Sequence, residues 1–273
     1  MTRQSLTRLC GSALLAATLT GCLASTQQEV ELGTQYAQQI NQQLPIVQDA
    51  EVNRYINVLG DSIARLADDR GLEWQFFVVN DPSINAFAVP GGYIYVNRGL
   101  IERAANLSEL AGVLGHEIGH VTERHSMEQM RDMERANAGV TLACILTSVC
   151  NNQATGALIN VAGQATFARF SRADEAEADA VGIRHVVSAG ISPNGIPSMF
   201  RRLMEERERQ PSSLEAFFAT HPLEESRIQA TEAQIAQLDP AQLRRLTTDT
   251  QGFQAFKRRV ASLPAAPRQS AQR

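Results

Sequence analysis

The sequence predicts a mostly helical α+β fold in which a small β-sheet packs an edge strand on one long helix. Three observations carry this. Apolar residues recur at helical spacing over much of the chain, most clearly from Ala50 to Ala67 through Val52, Tyr55, Ile56, Leu59, Ile63 and Leu66. From Leu72 to Val79 the pattern changes to a β-rich apolar run, and two short extended segments then flank Pro90-Gly91-Gly92. Finally, Leu114-Gly115-His116-Glu117-Ile118-Gly119-His120 reads as helix and places two imidazoles and a carboxylate within about one turn.

In chain order, Arg3 and Arg8, an apolar core from Leu9 to Leu19 and small residues thereafter make 1–21 a secretory signal, with an apolar run too short to cross a bilayer. Leu19-Thr20-Gly21-Cys22 is similar to a bacterial lipobox, so Cys22 is expected to be lipidated and to become the mature N-terminus. With Leu23 rather than aspartate after it, the expected location is the outer membrane, lipid-anchored and facing the periplasm. Residues 22–29 read as a lipidated tether, 30–262 as one domain and 263–273 as a disordered tail. A net charge of −4 gives no electrostatic reason to expect a nucleic-acid partner.

Helices are expected at Val30–Leu44 and Ala50–Ala67, then the run Leu72–Val79, a turn at Asn80-Asp81-Pro82-Ser83, and strands Phe87–Val89 and Tyr93–Asn97. Asn106, with Glu109 at N3, is the cap of the central helix. Ala138–Cys150 is apolar but only thirteen residues long, which suits a buried helix or site cover better than a membrane span. Helices resume at Ala154–Phe170 and Arg172–Ala189, the latter stopped by Gly190, and continue at Ile196–Arg209, Pro222–Leu238 and Pro240–Leu246. Of four cysteines, Cys10 lies in the signal and Cys22 is taken by lipid. Cys144 and Cys150 are then expected to pair in an oxidising compartment, provided the chain turns between them, since unbroken helix would separate them by about 9 Å of rise.

The chemistry begins with His116 and His120, which share one helix face and form a zinc-binding pair, with Glu117 beside them as candidate general base for a water. A catalytic zinc takes a third protein ligand. Ser171 as N-cap and Asp174 as its capping-box partner start a helix whose Glu175 and Asp179 again share a face. Glu175 can ligate the metal while Asp179 accepts the second ring N–H of a ligating histidine, and Glu177 points elsewhere. In isolation, that segment would read as an acidic first turn favoured by the helix dipole.

These residues resemble the gluzincin zinc metallopeptidases of the HtpX, BepA and LoiP type. The resemblance rests on Asn85-Ala86-Phe87-Ala88-Val89-Pro90-Gly91-Gly92, the His116–His120 helix continuing to Arg124-His125, the stretch from Ser171 to Asp179, and Thr220-His221-Pro222-Leu223. It implies a zincin-like fold, one Zn2+ per chain on His116, His120 and Glu175, Glu117 as base, Asp179 behind a ligand, and His221 near the metal. The last would be either a transition-state donor or a displaceable fourth ligand, with Arg172 as an alternative donor. The chain ends about fifty residues after His221, too soon for the helical-repeat domain of the BepA type, so its size is closer to LoiP. His125, about 180° round a continuous helix from His116, and His185 read as structural.

The implied activity is zinc-dependent endoproteolysis of protein or peptide substrates in the cell envelope. Phe87, Ala88 and Val89 are expected to receive substrate as an added strand. The rival reading is a zinc-containing chaperone or scaffold lipoprotein that holds misfolded proteins without cutting them, in which Glu117 would have no purpose. The sequence carries no indication of oligomeric state.

Overall fold

The computed structural model describes residues 25–133, 135 and 169–265. The signal segment, Cys22, Ala138–Cys150 with Cys144 and Cys150, and nearly all of Ala154–Phe170 lie outside the described residues.

Three strands, β1 (Gln75–Val79), β2 (Ala86–Val89) and β3 (Tyr93–Asn97), form a mixed sheet in the order β1-β3-β2, with β1 parallel and β2 antiparallel to β3. The link between β2 and β3 turns tightly because Gly91 and Gly92 adopt φ of 82° and 99°, a region open to glycine at little cost. β3 is buried along its length, and the register sets Phe87 opposite Tyr95 and Ala88 opposite Ile94. On one face Phe77 and Phe87 stack on Tyr95, each with ring centroids 4.9 Å apart, under Ala37 and Ile40 of α1 (Thr26–Gln43). The other face joins the main core with α2 (Ala50–Ala67) and α4 (Leu107–Thr122). Burial on both faces explains why the strands carry so few polar residues.

α1 begins at Thr26 rather than Val30, taking in residues that the sequence assigns to the tether. Ser25 and Gln28 form a reciprocal capping box that satisfies the first backbone donors. α2 begins after Asp49, whose carboxylate accepts from the N–H groups of Glu51 and Val52. After β3 come α3 (Arg98–Arg103), α4, and α5 (residues 125–133). The remaining helices are α6 (Arg172–Ser188), α7 (Gly195–Arg209), α8 (Glu215–Thr220), α9 (Glu225–Ile235), α10 (Pro240–Leu243) and α11 (Gln251–Ala261). Sequence periodicity does not mark α3, α5, α8 or α11. α11 has only Phe253, Phe256 and Val260 as its buried set in an otherwise polar stretch, and Phe256 stacks on Tyr55 at 4.4 Å.

α4 is the axis of the fold, buried from Leu107 to Val121. Each fully buried large side chain such as Leu110, Leu114 or Ile118 contributes about 1.5–3 kcal/mol. α6 packs on α4 through glycine. A Cβ at Gly119 would stand 3.1 Å from the Ala178 carbonyl, and one at Gly182 would stand 3.1 Å from the His116 nitrogen. Helix backbones in that contact bring the side chains of α6 directly onto those of α4. Asn106 caps α4 as expected, accepting from the Glu109 N–H at 3.1 Å. The Glu109 carboxylate does not close a box on Asn106. It accepts from the Ala105 N–H and pairs with Arg202 and Ser198 of α7, because a fully buried carboxylate requires several donors.

Candidate metal centre and active site

Four residues apart on α4, His116 and His120 bring their Nε2 atoms to 3.0 Å with the rings nearly perpendicular at 86°. The helix contact at Gly119 and Gly182 then delivers Glu175 from α6. Its Oε1 lies 3.4 Å from His120 Nε2 and its Oε2 lies 3.6 Å from His116 Nε2. His221, the C-cap of α8, completes the group, with Nδ1 at 3.0 Å from Glu175 Oε1. One donor atom from each of His116, His120, Glu175 and His221 falls within 4.8 Å of the others, and all four residues are buried. Among the described residues this is the one cluster able to hold a metal ion.

The donor set fits zinc. His116 Nδ1 lies 2.8 Å from Asp179 Oδ1, off the ring's N–H axis but within reach of a small ring rotation, and His120 Nδ1 lies 2.9 Å from His125 Nδ1. With the δ nitrogens so engaged, both Nε2 atoms face each other as lone pairs beside a carboxylate, an arrangement that a cation satisfies.

Glu117 is fully buried, and among the described residues neither carboxylate oxygen has a hydrogen-bond partner; His221 Nε2 lies 3.6 Å from its Oε1. A buried carboxylate without donors is costly unless something polar arrives beside it. Burial resists charge on Glu175, but hydrogen bonds from His120 and His221 outweigh it and hold the carboxyl well below the usual range. Asp179 is likewise lowered, burial being overcome by His116 and then Arg227. Burial depresses His120 far below an ordinary histidine. His221 goes the other way: burial opposes its charge, but the Glu117 and Glu175 carboxylates raise its pKa.

Asp179 stands behind His116, as the resemblance implies. Phe87, Ala88 and Val89 lie in β2, an edge strand that pairs with β3 alone among the described residues. The Asn97 N–H bonds to the Asn85 carbonyl, so in this register the pairs alternate and Ala86 and Ala88 direct their backbone N–H and C=O away from β3. Arg172 is exposed and pairs with Glu224 at 2.6 Å, not with the cluster.

Three participants are not evident from sequence. Arg227 on α9 spans Asp179 at 2.7 and 2.9 Å, Glu175, and the Pro222 carbonyl at 2.9 Å. Phe170 stacks on the His120 ring with centroids 3.8 Å apart. His125 touches His120, contrary to its placement on the far side of a continuous helix, because α4 ends at Thr122 and Arg124 adopts a left-handed φ of 62°. No spacing marks Arg227 or Phe170, whereas Arg124-His125 is part of the quoted resemblance without a role attached.

A mostly helical α+β fold with a buried His-His-Glu ligand set and an adjacent free carboxylate is the framework of a zinc metallopeptidase. The chain belongs to peptidase family M48, whose model matches residues 48–235. It is 33% identical over 232 residues to the beta-barrel assembly-enhancing protease of Escherichia coli K12, covering 82% of this chain and 47% of that protein. Over 195 residues it is 31% identical to the mitochondrial metalloendopeptidase OMA1 of Schizosaccharomyces pombe, covering 71% and 56%. Metalloprotease LoiP of Escherichia coli K12 is 26% identical over 181 residues, covering 66% and 69%. The chain thus spans about half the length of the assembly-enhancing protease it matches.

Proposed function

We propose that the chain is a zinc-dependent endopeptidase of the bacterial cell envelope that cleaves misfolded or unassembled outer-membrane and periplasmic proteins. The observation that carries the activity is Glu117, a buried carboxylate without a hydrogen-bond partner among the described residues, beside three side chains able to hold a metal. His116, His120 and Glu175 would hold the zinc, and Asp179 fixes the His116 ring. A zinc ion held by these residues would supply a water of lowered pKa and polarisation of the scissile carbonyl. Glu117 takes the proton of the attacking water and later delivers it to the leaving amine. Arg227 binds Glu175 Oε2, the oxygen nearer His116, while Oε1 stands between His120 and His221, so the carboxylate is held with both oxygens at the cluster.

Substrate is bound as an extended strand along β2, where the outward N–H and C=O of Ala88 offer main-chain hydrogen bonds that demand little of the substrate's sequence. The choice of substrates is supported by the name of the assembly-enhancing relatives, and the location by that name together with the signal-like 1–21 and the lipobox-like Leu19–Cys22. Cys22 carries the lipid, and Cys144 pairs with Cys150. Casein digestion by the full chain, with and without a chelator, tests the activity: cleavage abolished by the chelator and restored by zinc is expected, and chelator-insensitive cleavage would contradict it. Cys22→Ala should release the protein from the membrane fraction, and firm sedimentation of that variant would remove the anchor.

A further inference from the structure

The two cluster histidines of α4 are backed in different ways. His116 has a carboxylate, Asp179, at its Nδ1. His120 has another imidazole, with His125 Nδ1 at 2.9 Å, and His125 Nε2 in turn lies 3.4 Å from Glu177 Oε2. His125 is 2% exposed, while the Glu177 side chain is 58% exposed at the protein surface. Phe170 stacks on the face of His120, and His125 is the partner that its Nδ1 meets among the described residues.

The backbone is bent to make this contact. Arg124, at φ 62°, occupies a conformation costing a side-chain-bearing residue about 1–2 kcal/mol, and it reverses the chain so that His125 folds back on the last turn of α4. The turn is held from below: buried Glu29 pairs with Arg124 at 2.9 Å and with Arg70 at 3.0 Å, and Arg70 donates to the Val121 carbonyl at 2.8 Å.

We propose that His125 and Glu177 are positioning residues for His120. His125 Nδ1 accepts the Nδ1–H of His120, and Glu177 accepts the Nε2–H of His125. The inference rests on the reading of His120 as a metal ligand. Its proton count closes: two neutral imidazoles supply two N–H groups, which meet one imidazole lone pair and one carboxylate, and His120 Nε2 remains bare toward His116 and Glu175. The reverse direction, with His125 donating to His120, would put a proton on His120 Nε2 and occupy the atom that must bind metal. Glu177, two residues after Glu175 on α6, thereby serves the second histidine as Asp179 serves the first, with His125 spanning the greater distance.

Two measurements on the full chain test this. In chelator competition, His125→Leu removes the acceptor and should weaken zinc binding by about 10- to 100-fold. His125→Asn, which returns an acceptor near the Nδ1 position, should recover most of that loss. Glu177→Ala, at the exposed end, should cost at most about fivefold. Nitrogen NMR of histidine-labelled, zinc-loaded wild type should show His125 protonated at Nε2 and bare at Nδ1, a readout that does not depend on any variant folding. A proton on His125 Nδ1, or His125→Leu binding zinc as tightly as wild type while His120→Ala loses it, would overturn the relay alone. Zinc retained at full affinity by His120→Ala would instead overturn the ligand assignment on which it rests.

Discussion

Arg227→Met removes the guanidinium that joins Glu175 to Asp179 while keeping an apolar stem against Phe200, over whose ring the guanidinium carbon stands at 4.8 Å. The Arg227 side chain is 12% exposed and those of Glu175 and Asp179 at most 3%, so water cannot replace what is lost. Removing one partner of a buried pair costs about 3–5 kcal/mol, because the other charge stays buried and uncompensated. The loss should be largest in metal-free protein, where no cation offsets Glu175. With a urea dependence of about 2–3 kcal/mol per molar, the unfolding midpoint of the chelated variant should fall by about 1–2 M. Arg227→Lys, which retains charge but not the forked geometry, should lie between variant and wild type. Circular dichroism during urea titration reads both, and Asp179→Asn alone and combined with Arg227→Met completes a double-mutant cycle. A midpoint shift under about 0.3 M, or additive effects in the cycle, would refute the view that Arg227 neutralises the carboxylate pair.

Three further outcomes follow. Burial holds His185 down at about 4, with Arg184 opposing its charge and a bond to the Gly115 carbonyl partly offsetting both. The unfolded chain therefore takes up a proton between pH 6.5 and 4 that the folded chain does not, so this contribution is complete above pH 6.5 and is lost on acidification, by about 3 kcal/mol in all; urea midpoints should fall less steeply over that range in His185→Gln, and an unchanged slope would contradict it. His221 is 1% exposed and closes against Glu117, so His221→Ala should raise basal casein cleavage with zinc content unchanged; a fall in kcat would make it a transition-state donor, and wild-type kinetics would remove it from the site. Ala88→Pro deletes an outward N–H without touching the β2–β3 ladder, so KM should rise while zinc binding and unfolding midpoint stay constant; unaltered kinetics would place substrate elsewhere.

The residues at the centre of the cluster are legible in the sequence because their arrangement is local. His116, Glu117 and His120 depend only on helical spacing, and Ser171 to Asp179 announces its own helix start. The strands flanking Pro90-Gly91-Gly92 were legible for the same reason. What escaped depends on contacts between distant segments. Arg227 reaches Glu175 and Asp179 only because α9 packs beside α6, and no periodicity encodes that. A helical wheel puts His125 on the wrong side because it assumes that the helix continues, and nothing in Thr122-Glu123-Arg124 marks a left-handed residue as glycine would. α11 is not legible because three apolar residues in a polar stretch form a face only once Tyr55 is there to receive Phe256.

Holding the metal and using it fall to different side chains in the proposed mechanism. Glu117→Gln preserves the shape of a side chain that makes no hydrogen bond among the described residues and leaves His116, His120 and Glu175 untouched. Zinc analysis of the purified variant beside casein digestion should find about one zinc per chain with peptide cleavage abolished, as expected for loss of a general base alone. Cleavage at the wild-type rate by the zinc-loaded variant would contradict the mechanism.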